Sequence, residues 1–128
     1  MSDSNWVRTR IADAQVDIDA AVTVDTLDHA AVAVNECAVI TNIIAYDLTS
    51  NITSIEFYLE NNDATQYLIH RALVTAINQT VEWTGKIVLE AGDHIAVVFN
   101  GTVAGDDIHS VILGYNVPQF KAVTPAVW

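Results

Sequence analysis

The segment Thr53-Ser-Ile-Glu-Phe-Tyr-Leu-Glu60 alternates between two kinds of side chain, with Ile55, Phe57 and Leu59 on one side and polar neighbours on the other. A period of two residues predicts a half-buried β-strand. The segment before it, residues 38–48, is β-branched and apolar on both faces. That composition predicts a central strand that is covered on both sides.

Further extended segments follow at intervals of about 8–12 residues, with turn residues between them. We predict strands at residues 66–73, 80–83, 86–89, 95–99 and 108–115. Between them we predict a tight connection at Thr84-Gly85, a compact turn at Ala91-Gly92-Asp93 and a hairpin turn at Asn100-Gly101. This recurrence predicts one all-β domain, an antiparallel jelly-roll-like β-sandwich with extended arms at both ends.

The body of the sandwich is expected at residues 30–116, with an N-terminal arm at 1–29 and an extended tail at 117–128. Residues 11–21 come closest to a helical pattern, but three aspartates there are weak helix formers. We therefore expect a loosely structured N-terminal arm, with a possible first strand. The tail contains two prolines and shows neither strand nor helix periodicity.

The composition indicates where the apolar residues of the chain can be buried. Hydrophobic residues make up 52% of the 128 residues and charged residues only 16%, with a mean hydropathy of +0.30. No apolar run approaches the roughly 20 residues that cross a bilayer, so we expect no membrane association. The surplus apolar surface is expected to be buried in a core or against other chains. The first residues contain neither a basic cluster nor an apolar segment, so we expect no secretory signal and synthesis in a cytoplasm.

The charge balance argues against one class of partner. Five Lys and Arg against sixteen Asp and Glu give a formal net charge of -11. Such a field repels phosphate backbones, so nucleic acid is not expected as a partner.

The reactive residue types form no recognisable catalytic or metal-binding motif, so we expect no catalytic, cofactor or metal site. The four histidines are far apart in sequence. We expect no triad of His109, Ser110 and Asp107, because adjacent residues of a strand face opposite ways. Acidic clusters, including Asp106/Asp107, are expected to be solvated turns rather than calcium sites. The single cysteine, Cys37, is expected to be a small buried residue.

Two sequence blocks carry a resemblance to a known group of proteins. The block at 81–95, Val-Glu-Trp-Thr-Gly-Lys-Ile-Val-Leu-Glu-Ala-Gly-Asp-His-Ile, and the block at 36–61 resemble segments of small β-sandwich virion proteins of tailed bacteriophages. Together they cover about half the chain. The resemblance implies a virion structural protein on the outer surface of the capsid, most simply a decoration or cement protein that stabilises the assembled head. A head fibre, adaptor or baseplate protein on the same fold, or a carbohydrate-binding module, remains an alternative.

The termini are the expected contact regions. Aromatic residues outside the strands gain little unless they dock on a partner, and interfaces are enriched in such anchors. We therefore predict an assembly interface formed by Trp6, Arg8, Arg10, Phe120, Lys121 and Trp128. The expected partners are further copies of this chain and a major capsid protein or other virion protein, and the resemblance favours a homotrimer.

Overall fold

The computed structural model describes residues 9–118, and side chains from Arg10 to Val117. It contains eight β-strands: β1 Thr9–Asp17, β2 Thr23–Asp28, β3 Glu36–Asp47, β4 Ser54–Glu60, β5 Gln66–Leu73, β6 Val81–Leu89, β7 His94–Thr102 and β8 Ile108–Pro118. Within this range no helix is long and apolar enough to cross a membrane.

The strands form two four-stranded antiparallel sheets. Sheet I has the order β1-β8-β3-β6 and sheet II the order β2-β7-β4-β5. Consecutive strands mostly lie in opposite sheets, which is the arrangement of a jelly roll. The predicted fold class, an antiparallel jelly-roll β-sandwich, is confirmed.

The core lies between the two inner faces. Phe57, Phe99, Ile43 and Ile40 are among its largest fully buried side chains. Of the three residues that alternation places on one side of β4, Ile55 and Phe57 are buried and Leu59 packs at the edge of the core. Leu89, Ile95 and Val97 are also buried, and Ile87 packs at the edge. Cys37 is half-buried rather than buried.

The sandwich begins at Thr9 rather than at residue 30. The expected N-terminal arm contains β1, which pairs with β8 from Thr9↔Asn116 to Asp17↔Ile108, and β2, which pairs with β7. The aspartates that argued against a helix are compatible with a strand, since Asp13 faces inward and is held by hydrogen bonds. At the other end β8 continues to Pro118, so the first two residues of the expected tail belong to sheet I.

Two predicted turns are wrong because glycine there allows a bulge within a strand. Gly101 has φ +90° and lies between Thr23↔Thr102 and Val24↔Asn100, so it is the extra residue of a β-bulge in β7. Gly85 likewise lies inside a continuous β6, where the register against β3 shifts. The Ala91-Gly92-Asp93 turn is confirmed, with Gly92 at φ +91° and Asp93 N donating to Glu90 O at 2.9 Å.

Candidate interaction surface and polar clusters

The outer face of sheet I is largely apolar. The register aligns side chains in rows across its four strands: Arg10–Tyr115–Val39–Val88, Ala12–Leu113–Asn42–Thr84 and Ala14–Val111–Ile44–Glu82. These residues alternate along each strand with residues of the core cluster, so they point away from it, although Val39 is itself only 9% exposed. Arg10 and Glu82 are the charged residues of the three rows, and Lys86, between Thr84 and Val88 on β6, adds a third charge to the same face. We call this surface the apolar face.

A fourth row extends the apolar face with an aromatic contact. Val16 lies opposite His109, which in turn lies opposite Tyr46. The rings of Tyr46 and His109 stack with centroids 5.1 Å apart and an interplanar angle of 8°. Val16 is 50% exposed and Val88, at the far edge of the sheet, is 57% exposed. Apolar side chains thus reach solvent on both edge strands of sheet I.

Both ends of the described chain meet at one end of sheet I. Thr9, where β1 begins, pairs with Asn116, and Pro118, where β8 ends, pairs with Glu36. A cavity of about 180 Å³ lies beside them, with apolar walls and two acidic residues: Ile11, Asp13, Ala30, Ala31, Val32, Ala33, Glu36, Ala38, Ile40, Leu89, Ile112 and Asn116. The residues 1–8 and 119–128 therefore continue from neighbouring points next to this cavity.

Most of the predicted interface residues lie outside the described residues 9–118. Arg10 is exposed, at one corner of the apolar face. Trp6, Arg8, Phe120, Lys121 and Trp128 lie outside the described residues. The apolar face itself was not predicted as a site, although its signal is present in the alternation of Ala12, Ala14 and Val16 with polar residues.

A buried histidine joins the two sheets. His29, which follows β2, is 3% exposed; its Nδ1 lies 2.8 Å from Asp13 Oδ2 on β1 and its Nε2 lies 2.9 Å from Ser110 Oγ on β8. A carboxylate only accepts, so Nδ1–H donates to Asp13 and Nε2 accepts from the Ser110 hydroxyl. Asp13 Oδ2 also accepts from Ala30 N at 3.2 Å.

Burial and hydrogen bonds together determine the charge states of His29 and Asp13. Desolvation lowers the pKa of His29 below its usual 6.5, outweighing the nearby Asp13 carboxylate, which raises it. Burial raises the pKa of Asp13, but the hydrogen bonds from His29 and the Ala30 amide outweigh that effect and leave its pKa lowered. The imidazole is therefore neutral at neutral pH, and Asp13 is ionised.

The connectivity of Ser110, His29 and Asp13 is that of a catalytic triad, but the surroundings differ. Ser110 is 0% exposed and points into the sandwich between Ile108 and Ile112, so a substrate cannot reach its hydroxyl. The triad considered from sequence does not form, because Ser110 faces the core while His109 faces outward to stack on Tyr46. The His29 cluster is a structural link between the sheets.

A second buried polar pair contradicts the expectation of a solvated turn at Asp106. Asp106 is 1% exposed and Asp47 is 3% exposed. Asp106 Oδ1 accepts from Ser50 Oγ at 2.7 Å, and Asp47 Oδ1 accepts from Thr49 N at 2.7 Å. Burial and the neighbouring Asp106 raise the pKa of Asp47 despite the backbone donors. The hydrogen bond from Ser50 to Asp106 connects the turn after β3 to the turn before β8.

The outer face of sheet II carries titratable groups where sheet I carries alanine and valine. Arg71 Nε lies 3.3 Å from Glu56 Oε2 across β5 and β4. Asp28, Glu60 and His94 come together from β2, β4 and β7, with a potential ligand atom of each within 4.8 Å of the others. Nothing in the sequence spacing indicates this group, because its members are more than thirty residues apart.

No protein-family model matches the chain, and no curated protein matches it. Solved structures with a similar fold include the C-terminal domain of a chitobiase from Bacteroides fragilis, at 10% identity and a TM-score of 0.48 over 91% of this chain and 98% of the other. A virus-like particle of Macrobrachium rosenbergii extra small virus gives 8% identity and a TM-score of 0.42 over 84% and 79%. The family 32 carbohydrate-binding module of C. perfringens NanJ gives 14% identity and a TM-score of 0.42 over 85% and 99%. At these identities the similarity concerns the β-sandwich fold alone.

Proposed function

We propose that this chain is a bacteriophage virion structural protein, a capsid decoration or cement protein that binds the outer surface of the assembled head and stabilises it. The observation that carries the proposal is the apolar face of sheet I. Contiguous exposed apolar surface on a small domain indicates a surface that another chain covers. In the described residues the polar constellation with catalytic connectivity is buried, and the proposal accordingly assigns no enzymatic activity.

The attachment of the two terminal segments supports an assembly role. Both continue from the same end of sheet I, next to the apolar cavity flanked by Asp13 and Glu36. These segments contain the sequences Trp6-Val-Arg8 and Phe120-Lys121, which combine an aromatic ring with a cation. An interface is stabilised when an aromatic side chain fills an apolar cavity and a cation lies near a carboxylate. The expected partners are other copies, with a trimer favoured by the resemblance, and a major capsid protein.

A shell-binding experiment tests the proposal. Purified chain is added to capsids that lack it, and occupancy is measured after sedimentation for the full chain and for chains lacking residues 1–8 or 119–128. These deletions leave β1 and β8 intact, so thermal melting should show that both variants fold. The full chain should saturate the shells and at least one deletion should bind poorly. Failure of the full chain to bind would contradict the proposal.

A carbohydrate-binding module is the second candidate, favoured by the polar outer face of sheet II. Tyr58 lies on that face with its hydroxyl donating to Glu56 Oε1 at 3.2 Å, near Arg71 and Asn100. Trp83 packs against the core, so it is not available to stack on a sugar. Binding of the isolated chain to a glycan array, lost in Tyr58→Ala, would support this candidate. Binding to shells without glycan binding would support the first.

A further inference from the structure

Asp28, Glu60 and His94 form a compact group at one end of the outer face of sheet II. His94 Nε2 lies 3.3 Å from Asp28 Oδ1 and 3.8 Å from Glu60 Oε2. The strand register brings the three residues together. Glu60 on β4 lies opposite His94 on β7, and Asp28 on β2 lies opposite Ala96, which is also on β7. Three adjacent strands thus each contribute one potential metal ligand.

Neighbouring contacts orient the side chain of Glu60 and anchor the backbone that follows Asp28. Glu60 Oε1 accepts from Gln66 Nε2 at 2.7 Å, which leaves Oε2 facing His94. Asp28 precedes His29, whose amide donates to Ile95 O at 3.0 Å and whose ring is held inside the sandwich. The backbone on both sides of the site is therefore anchored, and outer contacts of this kind tune the affinity of a metal site.

The electrostatics of the group favour a bound cation. Two carboxylates so close together repel each other unless a positive charge lies between them. Within the described residues the ion pairs of Asp28 and Glu60 are with His94, whereas Arg71 pairs with Glu56. The chain carries a net charge of -11, which adds to the attraction of a cation. The side chain of Asp28 is 63% exposed, so an ion can enter from solvent.

We propose that Asp28, Glu60 and His94 bind one divalent transition-metal ion of the Zn²⁺ type on the outer face of sheet II. One imidazole nitrogen and two carboxylate oxygens form a donor set that suits Zn²⁺ and its neighbours, whereas Ca²⁺ and Mg²⁺ prefer oxygen alone. Three protein ligands leave a further coordination position for water or for a group on a partner. The site lies on the opposite sheet from the apolar face and is independent of the proposed function.

The test is a titration of the untagged, metal-free full chain with ZnCl₂ near neutral pH, followed by isothermal calorimetry. One equivalent should bind, and Zn²⁺ should raise the melting temperature. His94→Gln should weaken binding by about tenfold or more, as should Glu60→Gln and Asp28→Asn. Asp28 is exposed, and Glu60 and His94 are partly exposed and outside the core cluster, so the melting temperatures of these variants without metal should stay close to that of the unsubstituted chain.

His109→Gln is the matched control. His109 Nε2 lies 2.7 Å from Asp107 Oδ1, but no third ligand joins this pair among the described residues, so its loss should leave Zn²⁺ affinity unchanged. Absence of Zn²⁺ binding would overturn the proposal. Binding that survives both His94→Gln and Glu60→Gln would place the ion elsewhere and overturn it equally. Equal affinity for Ca²⁺ would contradict the assigned donor set.

Discussion

The outer faces of the two sheets differ although their inner faces share one core. Sheet I presents mainly alanine, valine, leucine and tyrosine to the outside, together with Asn42, Thr84 and the charged residues Arg10, Glu82 and Lys86. Sheet II presents Asp28, Glu56, Glu60, Arg71 and His94, together with the apolar residues Tyr58, Leu68 and Leu73. A solvated sheet face normally resembles the second of these. This difference supports the proposal that another chain covers the outer face of sheet I.

Individual strands also differ in whether their apolar or their polar side faces the core. In β4 the apolar residues Ile55 and Phe57 face the core. In β1 the outward residues Ala12, Ala14 and Val16 are apolar, while Asp13 faces inward to bond His29. Alternation therefore identifies a strand, but it does not identify which side of that strand faces the core.

The largest expected effects test whether the two sheets contribute equally to the hydrophobic core. Phe57→Ala in sheet II and Ile43→Ala in sheet I each remove a fully buried side chain. We expect the free energy of unfolding to fall by about 3–5 kcal/mol for the first and about 2–5 kcal/mol for the second, through lost burial and a residual cavity. Chemical denaturation measures both. A loss below about 1 kcal/mol at either position would show that its side chain is not in the core.

The link between the sheets should be the next most sensitive feature. His29→Ala leaves the fully buried Ser110 hydroxyl without its partner and opens a cavity, so we expect a loss of about 2–4 kcal/mol. His94→Ala, at the surface of sheet II, should cost less than about 1 kcal/mol. Equal losses for the two variants, measured by denaturation, would show that the His29 cluster does not hold the sheets together.

His29 should also make stability depend on pH. Because burial lowers its pKa below 6.5, the unfolded chain binds more protons than the folded chain when the pH falls below that value. The free energy of unfolding should therefore decrease as the pH is lowered from about 7.5 to about 5.5, and His29→Gln should flatten this decrease. Denaturation curves at several pH values measure it. A slope unchanged by His29→Gln would assign the effect to other groups.

The sequence was informative where side chains alternate around the core and uninformative where polar residues are buried. It predicted β5 with the observed bounds and the buried faces of β4 and β7. It gave β1 only as a possible first strand of a loose arm, because the alternation from Ala12 onward has its polar side inward, and it missed β2. It also missed the His29 cluster and the Asp28, Glu60 and His94 group, since their members meet only through strand register. No local sequence pattern indicates contacts between residues so far apart in the chain.

The smallest effects on folding are expected on the outer faces. Val88 on β6 of sheet I and Leu68 on β5 of sheet II are 57% and 55% exposed, and both lie on edge strands. Val88→Glu and Leu68→Glu should each change the free energy of unfolding of the isolated subunit by less than about 0.5 kcal/mol. Denaturation at low protein concentration tests this, and a large loss for either variant would show that its side chain is part of the core.

The same pair of variants tests most directly whether the apolar face is covered by other chains. Molar mass in solution, measured by light scattering, should show an oligomer for the unsubstituted chain and for Leu68→Glu. Val88→Glu places a charge in the row formed with Val39 and Tyr115, and should shift the mass to that of a single chain. A monomeric unsubstituted chain, or a Val88→Glu variant that keeps the oligomeric mass, would contradict the account.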